Sequence, residues 1–307
     1  MKVSCFLILI LLLASCSTSK FYIGLDGTSI GDDDFYIYSP SVEKDNVTST
    51  FTKSQSRFGT ITANKENTKL KFRYLEPKKE IAKEKIIIMM PGNQAVWLSL
   101  MPTASLLLNE GYHLVIIDYY GEKNGFRSEK KKDWAEKEID EIILLTEVLQ
   151  SIDNFRTYDI GYFGSSLGSL AGLRATAETS IIKCFVGEGT PVNPRKSAEN
   201  ILDKSFWLDL WIDLDDYEEL IKKLDPIKNL KTIGGKTSVY LFWGDDDEYV
   251  FEDKLQKIKN VLDSNSDKNA YKVFKDAKHS NRLGLEISPE KFHEINNSII
   301  KYFNENL

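Results

Sequence analysis

The sequence predicts an α/β fold in which a mostly parallel central sheet is flanked by helices. Two observations carry that prediction. Short continuous apolar runs, such as Lys85–Met90 and His113–Tyr119, alternate with longer segments of helical period. That is the pattern of parallel strands buried on both faces by crossover helices. The stretch Gly161–Gly172, GYFGSSLGSLAG, joins an apolar run to a run of small, helix-forming residues through a tight turn. Strand, turn and helix in that order give Gly164-Ser165-Ser166-Leu167-Gly168, a match to G-x-S-x-G, its chemical meaning.

The elements follow in order. Arg57–Ala63 and Lys69–Tyr74 alternate around the turn Asn64–Asn67, which predicts an antiparallel hairpin at one end of the sheet. Lys85–Met90 is bounded by Pro91-Gly92 and is a buried strand. Leu98–Asn109 is helical and stops at Gly111, a C-cap. His113–Tyr119 is the next buried strand, and Asp133–Ile152 a long amphipathic helix. Strand Tyr158–Phe163 leads through the turn into a helix from Leu167 to Ala177. Lys183–Gly187 is a strand, as is Ser238–Trp243. Helix Glu252–Leu262, strand Ala270–Phe274 and helix Pro289–Asn304 complete the chain. The segment between Lys183–Gly187 and Ser238–Trp243, about 189–236, is an insertion over one sheet edge. It contains Phe206, Trp207, Trp211 and Tyr217, which suit the apolar wall of a small helical lid and equally suit short connecting helices packed on the sheet.

Ahead of the domain, Met1–Ser15 reads as a signal peptide: Lys2 supplies the positive end and Phe6–Leu13 an unbroken apolar stretch too short for a bilayer span. It ends Leu13-Ala14-Ser15-Cys16, which resembles the lipobox of bacterial lipoproteins. The resemblance implies lipidation of Cys16 and attachment to the cell envelope, at the outer membrane for a Gram-negative source because Ser17 stands where an Asp would retain the protein. Each buried acyl methylene adds ~0.8 kcal/mol to such an anchor. Residues 16–55, polar and rich in Ser, Thr and Asp, are expected to form a tether and N-terminal extension that includes the strand-like Asp34–Tyr38, with the main α/β domain at 56–307. The run Asp32-Asp33-Asp34 fits a solvated loop better than a metal site. Cys5 lies in the signal, leaving Cys184 alone in an apolar strand as a small core residue. No disulfide or Cys/His zinc spacing is available, and no metal or other cofactor is expected. The chain has 46 acidic and 40 basic residues, formal net charge −6, without basic runs, which argues against a nucleic-acid partner.

A serine hydroxyl attacks at neutral pH only with a base in hydrogen-bond reach, itself oriented by a further group. The chain has three histidines. His113 begins a strand, on the side away from the strand C-termini, and His293 lies within the last helix. His279 follows Ala270–Phe274 in a polar loop, at a strand C-terminus where open α/β sheets place their sites. His279 is therefore the candidate base. After Ser238–Trp243 stands Gly244-Asp245-Asp246-Asp247-Glu248-Tyr249-Val250, where any of four carboxylates has the chemistry to orient it.

These pieces together resemble the α/β-hydrolase superfamily over roughly residues 56–305. The nucleophile elbow matches at Gly164–Gly168. The superfamily acid loop, commonly G-x-x-D-x-x-V, matches at Gly244, Asp247 and Val250, and this selects Asp247. The G-x-x-H pattern before the terminal helix is matched by Asp276–His279, with Asp in place of the frequent Gly. The order Ser166, Asp247, His279 is that of the superfamily. The resemblance implies a Ser-His-Asp triad and an oxyanion hole of two backbone N–H groups. One is Leu167. The other follows the third strand of these enzymes, where Met90-Pro91-Gly92-Asn93-Gln94 matches an H-G-N variety with Pro91 for His; Asn93 is the expected donor and Gln94 the alternative. The stretch after Asp118-Tyr119-Tyr120-Gly121 departs from the superfamily pattern.

A serine at the elbow disfavours the dehalogenase and epoxide hydrolase branches, whose nucleophile is Asp, and the length leaves no room for the propeller of prolyl oligopeptidases. Esterase, lipase, thioesterase and small peptidase remain. The expected reaction is cleavage of a carboxylic ester or thioester through an acyl-Ser166 intermediate, on a small-molecule or lipid acyl substrate. The alternatives are an envelope lipoprotein that only binds a ligand or partner in the pocket, and an acyltransferase using the same triad.

Overall fold

Isoleucine-rich runs place the centre of the fold. Lys85–Met90 is buried beyond its first residue, and His113–Ile117 is buried throughout. Such segments are stable only between two layers, with each fully buried aliphatic side chain worth about 1.5–3 kcal/mol. The computed structural model describes residues 36–43, 46–53, 59–63, 68–92, 97–117, 134–151, 153–204, 214–279 and 288–307.

Among the described residues ten strands form one sheet: β1 (Tyr36–Glu43), β2 (Asn46–Lys53), β3 (Gly59–Ala63), β4 (Thr68–Glu76), β5 (Lys85–Met90), β6 (His113–Ile117), β7 (Asp159–Ser165), β8 (Ile182–Glu188), β9 (Ser238–Gly244) and β10 (Ala270–Phe274). Their order is β10-β9-β8-β7-β5-β6-β4-β3-β1-β2. From β10 to β6 all neighbours are parallel. β4 pairs antiparallel with β6, and β3 with β4, so the predicted hairpin closes one end.

The helices among the described residues are α1 (Met101–Asn109), α2 (Trp134–Ser151), α3 (Leu167–Glu178), α4 (Pro194–Lys204), α5 (Glu218–Lys223), α6 (Pro226–Ile233), α7 (Glu252–Asn265) and α8 (Pro289–Asn306). Alternate strand residues face opposite layers. Ile86, Ile88, Tyr162, Phe185, Val239 and Leu241 pack with α2, α3, α6 and α7. Ile87, Met89, Phe163, Val186, Tyr240 and Phe242 pack with α1 and α8. Cys184 is a buried free thiol in this second layer.

Local signals end the helices where the sequence places them. After α1, the N–H of Gly111 donates to Leu108 O (2.9 Å) and that of Tyr112 to Leu107 O (3.1 Å). This is the paired closure of a Schellman motif, with Gly111 at φ +89°. Asp225 caps α6 by accepting from the N–H groups of Ile227 and Lys228, and Ser288 caps α8 by accepting from Lys291 N–H.

The sheet begins earlier than the boundary near 56 suggested by composition. β1 and β2 pair with each other, and β1 also pairs with β4 through Tyr36–Tyr38. Terminal strands of a sheet need no continuous apolar run, so Ser- and Thr-rich segments enter it without the signature of the central strands. The 189–236 segment contributes α4, α5 and α6 and a 3-10 turn, Leu214–Tyr217. Tyr217 packs on the core, while Phe206, Trp207 and Trp211 lie outside the described residues.

His113 is buried at the start of β6 among Tyr74, Phe155 and Tyr158, with Nδ1 2.6 Å from the Tyr74 hydroxyl and Nε2 without a hydrogen-bond partner among the described residues. Burial pushes its pKa down to about 4 from 6.5. The folded protein therefore refuses a proton that the unfolded chain accepts. Stability from this residue is retained above pH 6.5, falls as the pH drops toward 4, and levels off below it. Urea titrations at pH 7 and 4.5 should show a His113→Gln variant losing about 2–3 kcal/mol less than the wild type over this interval.

Candidate active site

The chain crosses from one side of β5 to the other between β6 and β7, so the C-terminal ends of β5 and β7 flank a topological switch point. Open α/β sheets leave a crevice there. Three loops at strand C-termini bring their side chains together beside it.

The first is the turn after β7. Ser166 takes φ 51°, ψ −117°, a backbone conformation worth about 1–3 kcal/mol of strain for a residue with a side chain. The surroundings hold it there. Its N–H donates to Glu188 O (2.8 Å), and its carbonyl accepts from the N–H groups of Ser169 (3.0 Å) and Leu170 (3.2 Å). Close approach explains both glycines of the motif. A Cβ on Gly164 would stand 2.7 Å from the backbone of Gly168 and Ser169, and one on Gly168 2.5 Å from Pro91 O and 2.6 Å from Met90 O. The buried Tyr162 hydroxyl donates to Gly168 O (2.7 Å) and ties the turn back onto its own strand. Behind it, the hydroxyls of Ser169 and Thr190 are 2.5 Å apart, and Trp243 Nε1–H donates to Thr190 O (2.7 Å). The elbow is thus linked through the residues after β8 to β9, the strand that carries the acid loop.

The second loop follows β9. Of its four carboxylates, Asp245, Asp246 and Glu248 are exposed, whereas the Asp247 side chain is 1% exposed. The N–H of Tyr249 donates to Asp247 Oδ1 (2.9 Å), and that of Val250 to Asp247 O (3.0 Å), which turns the carboxylate inward.

The third loop follows β10. It is laced to the second: Asp245 N–H donates to Phe274 O (2.9 Å) and Asp246 N–H to Ala277 O (3.0 Å). Asp276 has φ 56°. Asp tolerates this left-handed region better than most residues, which explains how it stands where Gly is frequent. The result is a chain of three side chains. His279 Nδ1 lies 2.9 Å from Asp247 Oδ2 and 3.0 Å from Oδ1, and Nε2 lies 2.8 Å from Ser166 Oγ. The His279 side chain is 19% exposed, so reactants have access to one end of a relay whose other end is buried.

The other predicted residues fall as follows. Leu167 is the first residue of α3, where backbone N–H groups have no intrahelical acceptor and the helix dipole favours negative charge. Gly92 lies against Ser166, a Cβ there being 3.0 Å from Ser166 Cβ. Asn93 and Gln94, which follow it, lie outside the described residues, as do Cys16 and 118–133. His113 sits at the opposite end of its strand from the site, and His293 is exposed on α8. Among the described residues no group of three or more His, Cys, Asp or Glu is arranged to hold a metal ion.

Two features of the site were not marked by the sequence reading. The Tyr249 ring packs edge-on to the His279 imidazole, centroids 4.4 Å apart at 64°. Its position as one of the unspecified residues of G-x-x-D-x-x-V is the only signal that placed it nearby. The inserted segment also touches the acid loop: Asn200 Nδ2 on α4 donates to Glu248 O (3.4 Å), and Lys196 Nζ lies 5.0 Å from the Phe251 ring centre.

The sequence profile described as the prolyl oligopeptidase family matches residues 98–306. Among solved structures, an esterase of Pyrococcus furiosus is similar at TM-score 0.62 and 19% identity, covering 86% of this chain and 99% of that one. A dienelactone hydrolase from Anabaena variabilis is similar at TM-score 0.56 and 15% identity, covering 82% of this chain and all of that one. Porphyromonas gingivalis dipeptidyl peptidase 4 is similar at TM-score 0.62 and 12% identity, covering 81% of this chain and 35% of that one. Comparison with curated protein sequences gave no match. The solved structures share this fold: the α/β-hydrolase architecture of a mostly parallel sheet between helical layers.

Proposed function

The chain belongs to the prolyl oligopeptidase family within the α/β hydrolases, and we propose that it is a serine hydrolase cleaving a carboxylic ester or thioester through an acyl-Ser166 intermediate. The observation that carries this reading is the unbroken contact from Ser166 Oγ to His279 Nε2 and from His279 Nδ1 to Asp247, with Ser166 held at positive φ.

In the proposed reaction Ser166 Oγ attacks the acyl carbon as His279 Nε2 takes its proton, and Asp247 stabilises the imidazolium. The carbonyl oxygen becomes an alkoxide facing the Leu167 N–H, with Asn93 N–H as second donor. Collapse expels the alcohol or thiol, which receives the proton from His279. Water, deprotonated by His279, then attacks the acyl-enzyme and releases the acid and free Ser166.

The family also contains peptidases, so an amide substrate is the competing reading. Support for the ester comes from extent: the esterase and dienelactone hydrolase are matched over essentially their whole length, the dipeptidyl peptidase over 35% of its own. We further propose that Cys16 carries lipid and holds the enzyme at the cell envelope, on the strength of Leu13-Ala14-Ser15-Cys16.

One labelling experiment addresses these points. A fluorophosphonate probe should form a stable adduct that peptide mass mapping places on Ser166, and a panel of p-nitrophenyl esters of graded acyl length should be turned over faster than aminoacyl and peptidyl p-nitroanilides. The labelled band should sediment with membranes and move to the soluble fraction in Cys16→Ala. A folded protein that takes no label refutes the hydrolase reading and leaves ligand binding. Preferential acyl delivery to an added alcohol marks an acyltransferase.

A further inference from the structure

Tyr249 stands beside the Asp247–His279 pair. It has two handles on them. Its backbone N–H donates to Asp247 Oδ1 (2.9 Å), the carboxylate that faces His279 Nδ1. Its ring packs against the His279 imidazole, centroids 4.4 Å apart at 64°. One residue therefore touches both the base and the group that orients it.

An imidazole bonded at Nδ1 and Nε2 is fixed in its plane but can still rock about the line joining the two nitrogens. A ring packed at a steep angle to that plane blocks the rocking, and in a T-shaped pair the contact is itself favourable. The Tyr249 ring is half-buried; burial first, and the neighbouring negative charges of Glu248 and Asp247, hold the phenol pKa above its usual value, so the group stays neutral beside the relay. Glu248 O also accepts from Asn200 on α4, which connects this part of the acid loop to the inserted helices.

We infer that Tyr249 is a positioning residue that holds the His279 imidazole in the plane where Nδ1 meets Asp247 and Nε2 meets Ser166. The inference rests on the serine-hydrolase reading for its kinetic consequences and on geometry alone for its spectroscopic one. The ring is what matters, so Tyr249→Phe keeps the function and Tyr249→Leu removes it.

The test compares wild type, Tyr249→Phe and Tyr249→Leu in the full-length protein. Small displacements of reacting groups cost rate steeply, about 100-fold for 1 Å, so loosened rotation of one imidazole should lower kcat roughly tenfold. With a p-nitrophenyl ester, Tyr249→Leu should show that loss with KM within about twofold, since the ground-state substrate contacts persist. The fluorophosphonate labelling rate should fall in parallel. Tyr249→Phe should stay within about twofold of wild type in each respect. The His279 Nδ1 proton should give a far-downfield proton NMR line in wild type and Tyr249→Phe that broadens or moves upfield in Tyr249→Leu. That line needs no turnover: its loss in Tyr249→Leu alone, in a protein that takes no probe, would refute the hydrolase reading and leave the positioning role standing. Equal kcat, labelling rate and Nδ1 line in Tyr249→Leu and wild type would overturn the inference, and so would a loss carried entirely by KM or one shared by Tyr249→Phe.

Discussion

Asp247→Asn is expected to lower kcat by roughly 10⁴-fold while leaving the fold and KM nearly unchanged. The reason lies in which oxygen of the carboxylate is already taken. Tyr249 N–H donates to Oδ1, so an asparagine must keep its carbonyl oxygen there. Its NH₂ group then occupies the place of Oδ2, 2.9 Å from His279 Nδ1. An amide NH₂ only donates, so the closer of the two contacts at Nδ1 becomes a donor and favours the tautomer with the imidazole proton on Nε2 over the one in which Nδ1–H still donates to Oδ1, 3.0 Å away. In that tautomer the nitrogen facing Ser166 Oγ, 2.8 Å away, has no lone pair to take the hydroxyl proton. The buried site compounds this, because the imidazolium formed in the transition state also loses its compensating charge where water is scarce. Steady-state kinetics with a p-nitrophenyl ester measures the loss. Asp245→Asn and Asp246→Asn, on exposed side chains of the same loop, should stay within about threefold of wild type, since rim charges away from the reacting groups contribute little. Equal losses in all three variants would mean that the loop contributes only net negative charge.

The contrast among those neighbouring carboxylates shows where the sequence runs out of information. β5, β6, β7 and β9 were legible because each is a continuous apolar run, and their observed ends lie within two residues of the expected ones wherever both are described. Ser166 was legible for the same reason, since it follows β7 directly, and His279 because it stands in the polar loop after β10, at a strand C-terminus. Asp247 was not separable from Asp245, Asp246 and Glu248 by chemistry, and only the spacing of a resembling family distinguished it. The structural difference is burial and direction, set by the hydrogen bonds from Tyr249 N–H and Val250 N–H. Backbone bonding of that kind leaves no mark in composition or period. Tyr249 escaped notice on the same account, since an aromatic after an acidic run reads equally well as loop or core. Of β1 only the start, within the strand-like Asp34–Tyr38, was legible, and β2 escaped, for a different reason. Pairing at the end of a sheet is satisfied by backbone hydrogen bonds, so a Ser- and Thr-rich segment joins it without the apolar period that identifies the centre.

Gly168→Ala should damage stability and rate together, and the way it divides them locates the oxyanion hole. The added methyl would lie 2.5 Å from Pro91 O, 2.6 Å from Met90 O and 3.0 Å from Met90 C. All three are backbone atoms, so no side-chain rotation relieves the overlap. Met90 is the last residue of β5, held by pairing to β7 on one side, and Gly168 is in the first turn of α3. One of these must withdraw. Overpacking of this kind costs about 1–3 kcal/mol, and more when both neighbours are rigid; a denaturation midpoint shifted to match about 3 kcal/mol is the expected result. The kinetic consequence follows from what lies on either side of the contact. Ser166 and Leu167 lead into the α3 turn, and Gly92 leads from β5 toward Asn93. Parting the two surfaces by 1 Å would draw the proposed donors away from the same oxygen and should lower kcat about 100-fold. A variant that loses stability and keeps the wild-type kcat would mean that the second donor comes from somewhere other than the loop after β5. A variant that loses both, measured at a temperature where it is fully folded, would tie the hydrolytic rate to the narrow gap between Met90-Pro91 and Gly168.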